Sequence, residues 1–248
     1  MQLMKPKRGI EIGSADEKLF RYLYENKVAA TDQIHRHIFP DYNRRSVQNR
    51  LAKLAKNRLI KGAFHYGLGH KALFSLADDG FKQFIMPLGK NVKKELGSKA
   101  PAHDVDLLEV RWILSQSKKL KRYYPENLIT GDGLVSFSVE DFLMGDIRPD
   151  AVVEIELQAK PFRLALEYEA ARKYADRYKD LFRRYYNTKS IPGVLYICKN
   201  EALLNYIRNI EKSVMGDETP KFYYSDFSKW SDNEAKVFTN IRNSSITL

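Results

Sequence analysis

The chain has 248 residues, 44% of them hydrophobic, which suffices for one large domain or two small ones. No apolar run approaches the roughly 20 residues of a membrane-spanning helix, and no apolar segment follows the basic N-terminus, so we expect a cytoplasmic protein that does not insert into membranes. The single cysteine, Cys198, excludes an internal disulfide and a cysteine metal cluster, and its apolar neighbours indicate burial.

The net charge of +11 is confined to the N-terminal part of the chain. Residues 1–100 hold 20 Lys and Arg against 9 Asp and Glu, whereas residues 101–248 hold 22 of each. An excess of positive charge draws a protein to phosphate backbones. Since a polar stretch with glycine and proline lies at 89–101, we predict a basic domain at 1–88, a linker, and a neutral domain at 102–248.

The basic domain has the helix and hairpin order of a winged helix. Apolar residues at helical spacing predict three helices, and two alternating runs joined by a glycine-containing loop predict a hairpin. The helices are expected at 16–26, 31–38 and 43–57, and the strands at 59–66 and 71–76. We therefore predict an N-terminal winged helix-turn-helix.

The third helix of this domain carries most of the candidate DNA contacts. No acid occurs between residues 43 and 61, and the second helix of such a pair enters the major groove of DNA. The predicted contacts to double-stranded DNA are Arg44, Arg45, Ser46, Gln48, Asn49, Arg50, Lys53, Lys61, His70 and Lys71. A cationic helix face that is only solvated is the alternative interpretation.

The neutral region alternates helices and strands. Helices are predicted at 103–120, 170–187 and 201–213, and strands at 134–139, 151–157, 162–169, 193–198 and 221–224. Two of these strands, 151–157 and 162–169, form an antiparallel hairpin. Helix, three strands, helix, strand is the order of the restriction-endonuclease-like α/β core, so the predicted fold class of the whole chain is α+β.

Carboxylates gather where this hairpin begins and ends. Asp150 follows Pro149, and Glu167 and Glu169 share one face of the second strand. Mg²⁺ or Mn²⁺ is usually bound by a few carboxylates with substrate phosphate and water. We therefore predict a metal site with these three acids and with Asp106 of the preceding helix as ligands, although acids in a first helical turn also complement the helix dipole.

The catalytic residues are predicted from the same acids and two neighbours. The sequence sign of the core is Pro-Asp, a gap, then an acid, any residue and Lys, and here Glu169 replaces the Lys. Lys173, one helical turn later, is the candidate ammonium, while Glu169 binds metal or acts as a base. His103 is the candidate for orienting water or transferring protons. Ion pairs of the acids with Arg163, Arg172 or Lys173 are the structural alternative.

Several stretches carry a family resemblance. They are Leu-Tyr-Glu-Asn-Lys-Val-Ala-Ala-Thr-Asp-Gln-Ile at 23–34, Phe39-Pro40, the basic helix, Leu73-Phe74-Ser75-Leu76 with Gly80, and His103-Asp104-Val105-Asp106. Over residues 16–198 the chain resembles the replication-relaxation family of plasmid winged-helix proteins, and within it the MobC-type relaxases related to restriction endonucleases. The resemblance implies strand-specific nicking at a transfer origin with a divalent metal, and it assigns Asp150, Glu167 and Glu169 to the acid positions.

Three functional hypotheses follow. The first is a metal-dependent, site- and strand-specific DNA nicking enzyme, a relaxase acting in plasmid mobilisation at a transfer or replication origin. The second is a non-enzymatic winged-helix protein, a replication or relaxosome accessory factor or a repressor, whose second half forms a homodimer or docks a partner. In the third, tyrosines of the helix at 170–187 stack bases of single-stranded DNA or provide a covalent nucleophile, unless that helix simply packs on the sheet. Those tyrosines are Tyr174, Tyr178, Tyr185 and Tyr186.

Overall fold

The structure, a computed structural model, describes residues 10–65, 68–69, 71–89, 95–129, 147–157, 159–231 and 234–248. These residues form a mixed α+β structure. They divide into two compact units between Leu108 and Glu109, within the helix at whose start the second domain is predicted to begin. None of the described helices combines the length and the apolarity needed to cross a bilayer.

The first unit contains helices and a small sheet. Its elements are α1 (Ser14–Asn26), β1 (Ala29–Ala30), α2 (Thr31–Ile38), α3 (Arg44–Lys56), β2 (Ile60–His65), β3 (Lys71–Leu76) and α4 (Asp78–Gly80), which continues into a π-helical turn (Phe81–Ile85) and a 3-10 turn (Met86–Leu88). The strands form an antiparallel sheet in the order β1-β3-β2. The three helices and the hairpin predicted from the sequence are confirmed.

Side chains satisfy backbone amides where α1 and α3 begin. The amide of Gly13 donates to Asp16 Oδ2 at 2.9 Å, and the amide of Ser46 donates to Asn43 Oδ1 at 2.8 Å. First-turn amides have no partner within a helix, so these contacts help to fix where each helix starts. The apolar faces of the two helices are at most 1% exposed at Leu19, Phe20, Leu23, Val47, Leu51 and Leu54.

The segment after β3 requires glycine at position 80. A Cβ atom on Gly80 would lie 2.2 Å from the carbonyl oxygen of Leu59 and 2.9 Å from Leu76 Cδ1. The same carbonyl accepts a hydrogen bond from the amide of Ala77 at 3.1 Å. The two backbones therefore approach too closely for any side chain at this position.

The second unit is built on a seven-stranded mixed sheet. α5 (Pro101–Ser115) spans the division and is followed by β4 (Leu120–Pro125), α6 (Glu126–Ile129), β5 (Ala151–Leu157), β6 (Lys160–Glu169), α7 (Ala175–Asn187), β7 (Val194–Cys198), α8 (Glu201–Met215), β8 (Phe222–Asp226), a 3-10 turn (Phe227–Lys229), β9 (Val237–Thr239) and β10 (Ser245–Thr247). The strand order is β10-β9-β8-β7-β6-β5-β4. β4, β5 and β6 are antiparallel neighbours, whereas β6, β7 and β8 run parallel because α7 and α8 make the crossovers.

An aromatic cluster attaches α7 to the sheet. The ring centroid of Phe222, in β8, lies 4.6 Å from that of Phe182 and 5.3 Å from that of Tyr185. Tyr178 and Tyr185 are 1% and 0% exposed. For these two tyrosines, packing of the amphipathic helix is the correct interpretation, and they are not available to stack bases.

Several element boundaries differ from the predictions. The helix predicted from residue 170 begins at Ala175, because Tyr174 has extended backbone and forms its N-cap. The helix predicted to reach residue 120 ends at Ser115, and β4 then follows at the outer edge, where its half-exposed residues give no alternating pattern. β9 and β10 were also missed, because three-residue strands carry almost no periodic signal. The strand predicted at 134–139 lies outside the described residues.

Candidate functional site

Asp150 and Glu167 lie opposite each other across the β5–β6 pair. The strands are antiparallel with Ala151 opposite Leu166, so the residue before β5 faces position 167. Asp150 Oδ2 also accepts a hydrogen bond from the amide of Tyr168 at 2.8 Å, which ties this carboxylate to β6. The fold thus brings two of the predicted acids together.

Glu167 is a partly buried carboxyl in negative surroundings. Tyr185 of α7 donates a hydrogen bond to its Oε1 atom. Burial raises the pKa of Glu167 well above its ordinary range, and the charges of Asp150 and Glu169 raise it further. The Tyr185 hydrogen bond and the charge of Lys173 lower the pKa without cancelling that shift. A carboxyl in such a position favours either a bound proton or a neighbouring cation.

Glu169 is occupied by an ion pair. Its Oε2 atom lies 2.9 Å from Lys173 Nζ, and its side chain is only 6% exposed against 36% for the lysine. Lys173 stands in the loop between β6 and α7, not on a helix as predicted, and its amide donates to the Tyr178 hydroxyl at 3.0 Å. Lys173 is therefore fixed through both its backbone amide and its side-chain ammonium, and Glu169 acts as its counter-ion.

The residues in register with Glu169 on the neighbouring parallel strands are Cys198 of β7 and Asp226 of β8. Cys198 is fully buried, and burial raises the pKa of its thiol, so it packs as the small apolar residue that the sequence indicates. Asp226 Oδ1 accepts hydrogen bonds from the amide and hydroxyl of Ser228, while its buried Oδ2 has Lys229 Nζ at 3.8 Å and no hydrogen-bond donor among the described residues.

The predicted four-acid metal site is not assembled. Among the described residues, no group of three or more His, Cys, Asp or Glu side chains is placed to hold a metal ion. Asp106 and His103 belong to the first unit, where His103 Nδ1 lies 3.2 Å from Asp104 Oδ1. A Mg²⁺ site needs only one or two protein carboxylates beside water and phosphate. Asp150 with Glu167 fits that smaller requirement, because a cation would offset both the burial and the neighbouring Asp150 charge that raise the Glu167 pKa.

The surface of α3 in the first unit has the opposite character. Its cations Arg44, Arg45, Lys53 and Lys56 are exposed, as are Ser46, Gln48 and Asn49. No ion pair engages any of these four cations, or exposed Lys61 of β2, within the part of the chain that the structure describes. Their charge is therefore available to an anionic partner.

One predicted DNA contact, Arg50, needs revision, whereas Lys71 and His70 stay predictions. Arg50 turns inward. Its Nε atom donates to Asp16 Oδ1 at 2.9 Å, and its Nη2 atom donates to the carbonyl of Glu11 at 2.7 Å and also to Asp16 Oδ2. Asp16 is 3% exposed, so this arginine joins α3 to α1 and is not free to contact DNA. Lys71 Nζ lies 3.4 Å from Asp32 Oδ2, a half-exposed pair of small energy. His70 lies outside the described residues.

Sequence reasoning missed the partners that fix these side chains. The spacing of α7 predicted that Tyr185 is buried but not that its hydroxyl reaches Glu167, and nothing marked Asp16 as the partner of Arg50. Both contacts join residues distant in sequence, which a single chain does not reveal. Comparisons with protein-family models, curated proteins and solved structures yield no match.

Proposed function

We propose that the chain binds double-stranded DNA through α3 and nicks one strand in a metal-dependent reaction at a plasmid transfer or replication origin. In this proposal the first unit is a winged helix-turn-helix and the second a restriction-endonuclease-like domain. The observation that carries the proposal is the pairing of Asp150 with Glu167 across β5 and β6. The order α5, β4, α6, β5, β6, α7, β7, in which only the short helix α6 interrupts the strands, supports the fold assignment.

The roles proposed for the side chains follow from their contacts. Asp150 and Glu167 would hold Mg²⁺ or Mn²⁺, and Tyr185 orients Glu167 through its hydroxyl. Such a cation, when bound, supplies an activated water and neutralises charge on the scissile phosphate. Lys173 contributes a fixed ammonium that offsets phosphate charge, and Glu169 positions that ammonium and is not itself a ligand.

The exposed surface of α3 supports the DNA-binding part of the proposal. Four cations and three polar side chains stand in solvent on one helix. Cations and amides on an exposed helix are the groups that contact phosphates and base edges. β2 and β3 follow directly, as the wing does in a winged helix-turn-helix.

Relaxation of supercoiled plasmid DNA tests the activity. The plasmid should carry the natural DNA that flanks the coding sequence, and nicking is measured with Mg²⁺ or Mn²⁺ and with chelator. We expect open-circular product from the wild type with metal, and none from Asp150→Asn or Glu167→Gln. Glu156→Gln is the matched control, because Glu156 lies on the same hairpin but pairs with Lys121 at 3.2 Å. Nicking that persists in both site variants would overturn the site assignment.

A non-enzymatic role is the second candidate. It is favoured by Glu169, which stands where the motif has lysine and is neutralised by Lys173. The chain would then act as a replication or relaxosome accessory factor or as a repressor, with its second unit docking a partner or a second copy. Tight DNA binding without nicking under any metal condition would select this role.

A further inference from the structure

Tyr174 is the most exposed large apolar side chain among the described residues, at 91%. It lies between β6 and α7, directly after Lys173, whereas Tyr178 and Tyr185 farther along the same segment are buried. Exposing an aromatic ring forgoes the free energy gained by burying it. This ring, next in sequence to Lys173 of the proposed site, therefore calls for a partner that the described residues do not provide.

The backbone around Tyr174 is held on both sides. Lys173 is anchored to Glu169 and to the Tyr178 hydroxyl, and the carbonyl of Tyr174 accepts a hydrogen bond from the amide of Arg177 at 3.2 Å. One residue earlier than Lys173, the Arg172 guanidinium lies 3.8 Å from the centre of the Tyr206 ring. The ring is thus presented by a fixed segment, which lowers the entropy cost of binding.

The flanking charges are mainly positive. Arg172 and Arg177 are exposed, Lys173 is partly exposed, and the described residues provide no ion pair for Arg177. The nearby acid Asp176 is already paired with Lys179 at 3.1 Å. An aromatic ring between cations is suited to a ligand that has both a flat apolar face and phosphates.

We propose that residues 172–177, the Tyr174 platform, bind an unpaired nucleotide of single-stranded DNA beside the Asp150–Glu167 pair. The inference rests on the proposed function and deepens it by naming the strand state of the substrate. The Tyr174 ring stacks on a base, and Arg172 and Arg177 contact the adjacent phosphates. Aromatic stacking tolerates any base, so the platform holds the displaced strand without choosing its sequence.

Single-strand binding measured without metal tests the platform separately from nicking. The probe is fluorescein-labelled oligothymidylate of about 15 nucleotides, a length that covers the usual site sizes of such proteins, followed by anisotropy on the full chain in chelator. Tyr174→Ala should weaken binding roughly 10-fold, because the stacking of one base on the ring is lost. Tyr174→Phe should bind as the wild type does, since it retains the ring.

Two controls separate the failure modes. Phe162→Ala removes a different exposed ring, which lies on β6 and is 39% exposed, and should leave single-strand binding unchanged. Asp150→Asn should abolish nicking, and adding Tyr174→Ala to it should still weaken single-strand binding roughly 10-fold. The nicking assay therefore reports on the proposed metal site, and the binding assay reports on the platform. Equal single-strand affinity of Tyr174→Ala and wild type overturns the platform. A loss in Tyr174→Phe as large as in Tyr174→Ala overturns stacking.

Discussion

On α3, Arg44, Arg45 and Lys53 stand in solvent without an ion pair in the described part of the chain, whereas after β6 Lys173 is bound to a buried glutamate. The first region has excess charge that no described residue neutralises and that is therefore open to an outside partner. In the second region, the acids and the lysine set one another's charge state. Net charge therefore points to a surface whose charge is not neutralised within the described residues, whereas a site with balanced charge is recognised only from its contacts.

Asp16→Ala should give the largest effect, because it tests whether the Arg50–Asp16 ion pair stabilises the fold. The change leaves a partly buried guanidinium without its carboxylate and also removes the acceptor of the Gly13 amide. We expect the free energy of unfolding to fall by about 3 kcal/mol, the low end for a broken buried pair. Urea denaturation measures the loss, with exposed Glu17→Ala as the control. A loss under about 1 kcal/mol would return Arg50 to the solvent-facing set.

Lys221→Met tests a cation that the second unit uses entirely for its fold. Lys221 Nζ donates to the carbonyls of Tyr185, Tyr186 and Thr188 at the end of α7. Met keeps the apolar stem but leaves these acceptors without the ammonium, so we expect a loss of about 2 kcal/mol in chemical denaturation. Lys189→Met, exposed on the same turn, should change stability by less than about 0.5 kcal/mol.

Glu211→Gln gives a smaller effect that depends on pH. Glu211 is fully buried and accepts hydrogen bonds from the Tyr186 and Tyr224 hydroxyls at 2.5 and 2.9 Å. Burial raises its pKa, although both hydrogen bonds and Arg208 lower it. A carboxyl whose folded-state pKa is raised stabilises the fold when protonated, and this contribution is lost as pH rises through that pKa.

The stability of wild type should therefore fall, relative to the Gln variant, as pH rises from acid to neutral. Denaturation midpoints across this range measure the difference. Glu218→Gln, at an exposed position near the end of α8, should track the wild type at every pH. If wild type instead became more stable relative to the Gln variant as pH rises, the hydrogen bonds to Glu211 would lower its pKa more than burial raises it.

Arg45→Ala and Lys53→Ala should change stability least. Both side chains are exposed, so each should alter the unfolding free energy by less than about 0.5 kcal/mol. Each should nevertheless lower the slope of log affinity against log salt on duplex DNA by about 1, because one phosphate contact is lost. Arg183→Ala, whose guanidinium pairs with Asp180 on α7, should leave the slope unchanged. Equal slopes for all variants would contradict the α3 surface as the DNA contact.

Periodicity predicted most of the fold. The apolar stripe of Val47, Leu51 and Leu54 located α3, and the alternation at 162–169 located β6 with Glu167 and Glu169 on one face. It failed for β4, β9 and β10, whose short or half-exposed runs gain their regularity only from neighbouring strands. Local pattern therefore locates an element, whereas pairing across the sheet decides whether a weak pattern becomes one.

The sequence identified the residues of the candidate site better than it identified their contacts. Asp150 and Glu167 were selected from a Pro-Asp sequence and a strand face, and the strand register, continued one residue beyond Ala151 and Leu166, brings them close together. The charge pair of Glu169 and Lys173 was only one of several alternatives, because spacing alone does not distinguish a metal ligand from a counter-ion. The inward turn of Arg50 depends on a carboxylate 34 residues away, which helix spacing does not reveal.

The outer strands of the seven-stranded sheet have a consequence for behaviour at high concentration. Open sheet edges invite pairing with another molecule, and charged residues, proline and shortness oppose it. β4, outermost at one side among the described residues, carries exposed Lys121 and Arg122 and ends at Pro125. β10, at the other side, offers only three residues. Among the described residues, strand-mediated aggregation is thus discouraged at both sides of this sheet, which leaves helix faces as the favoured surfaces for contact with a second copy.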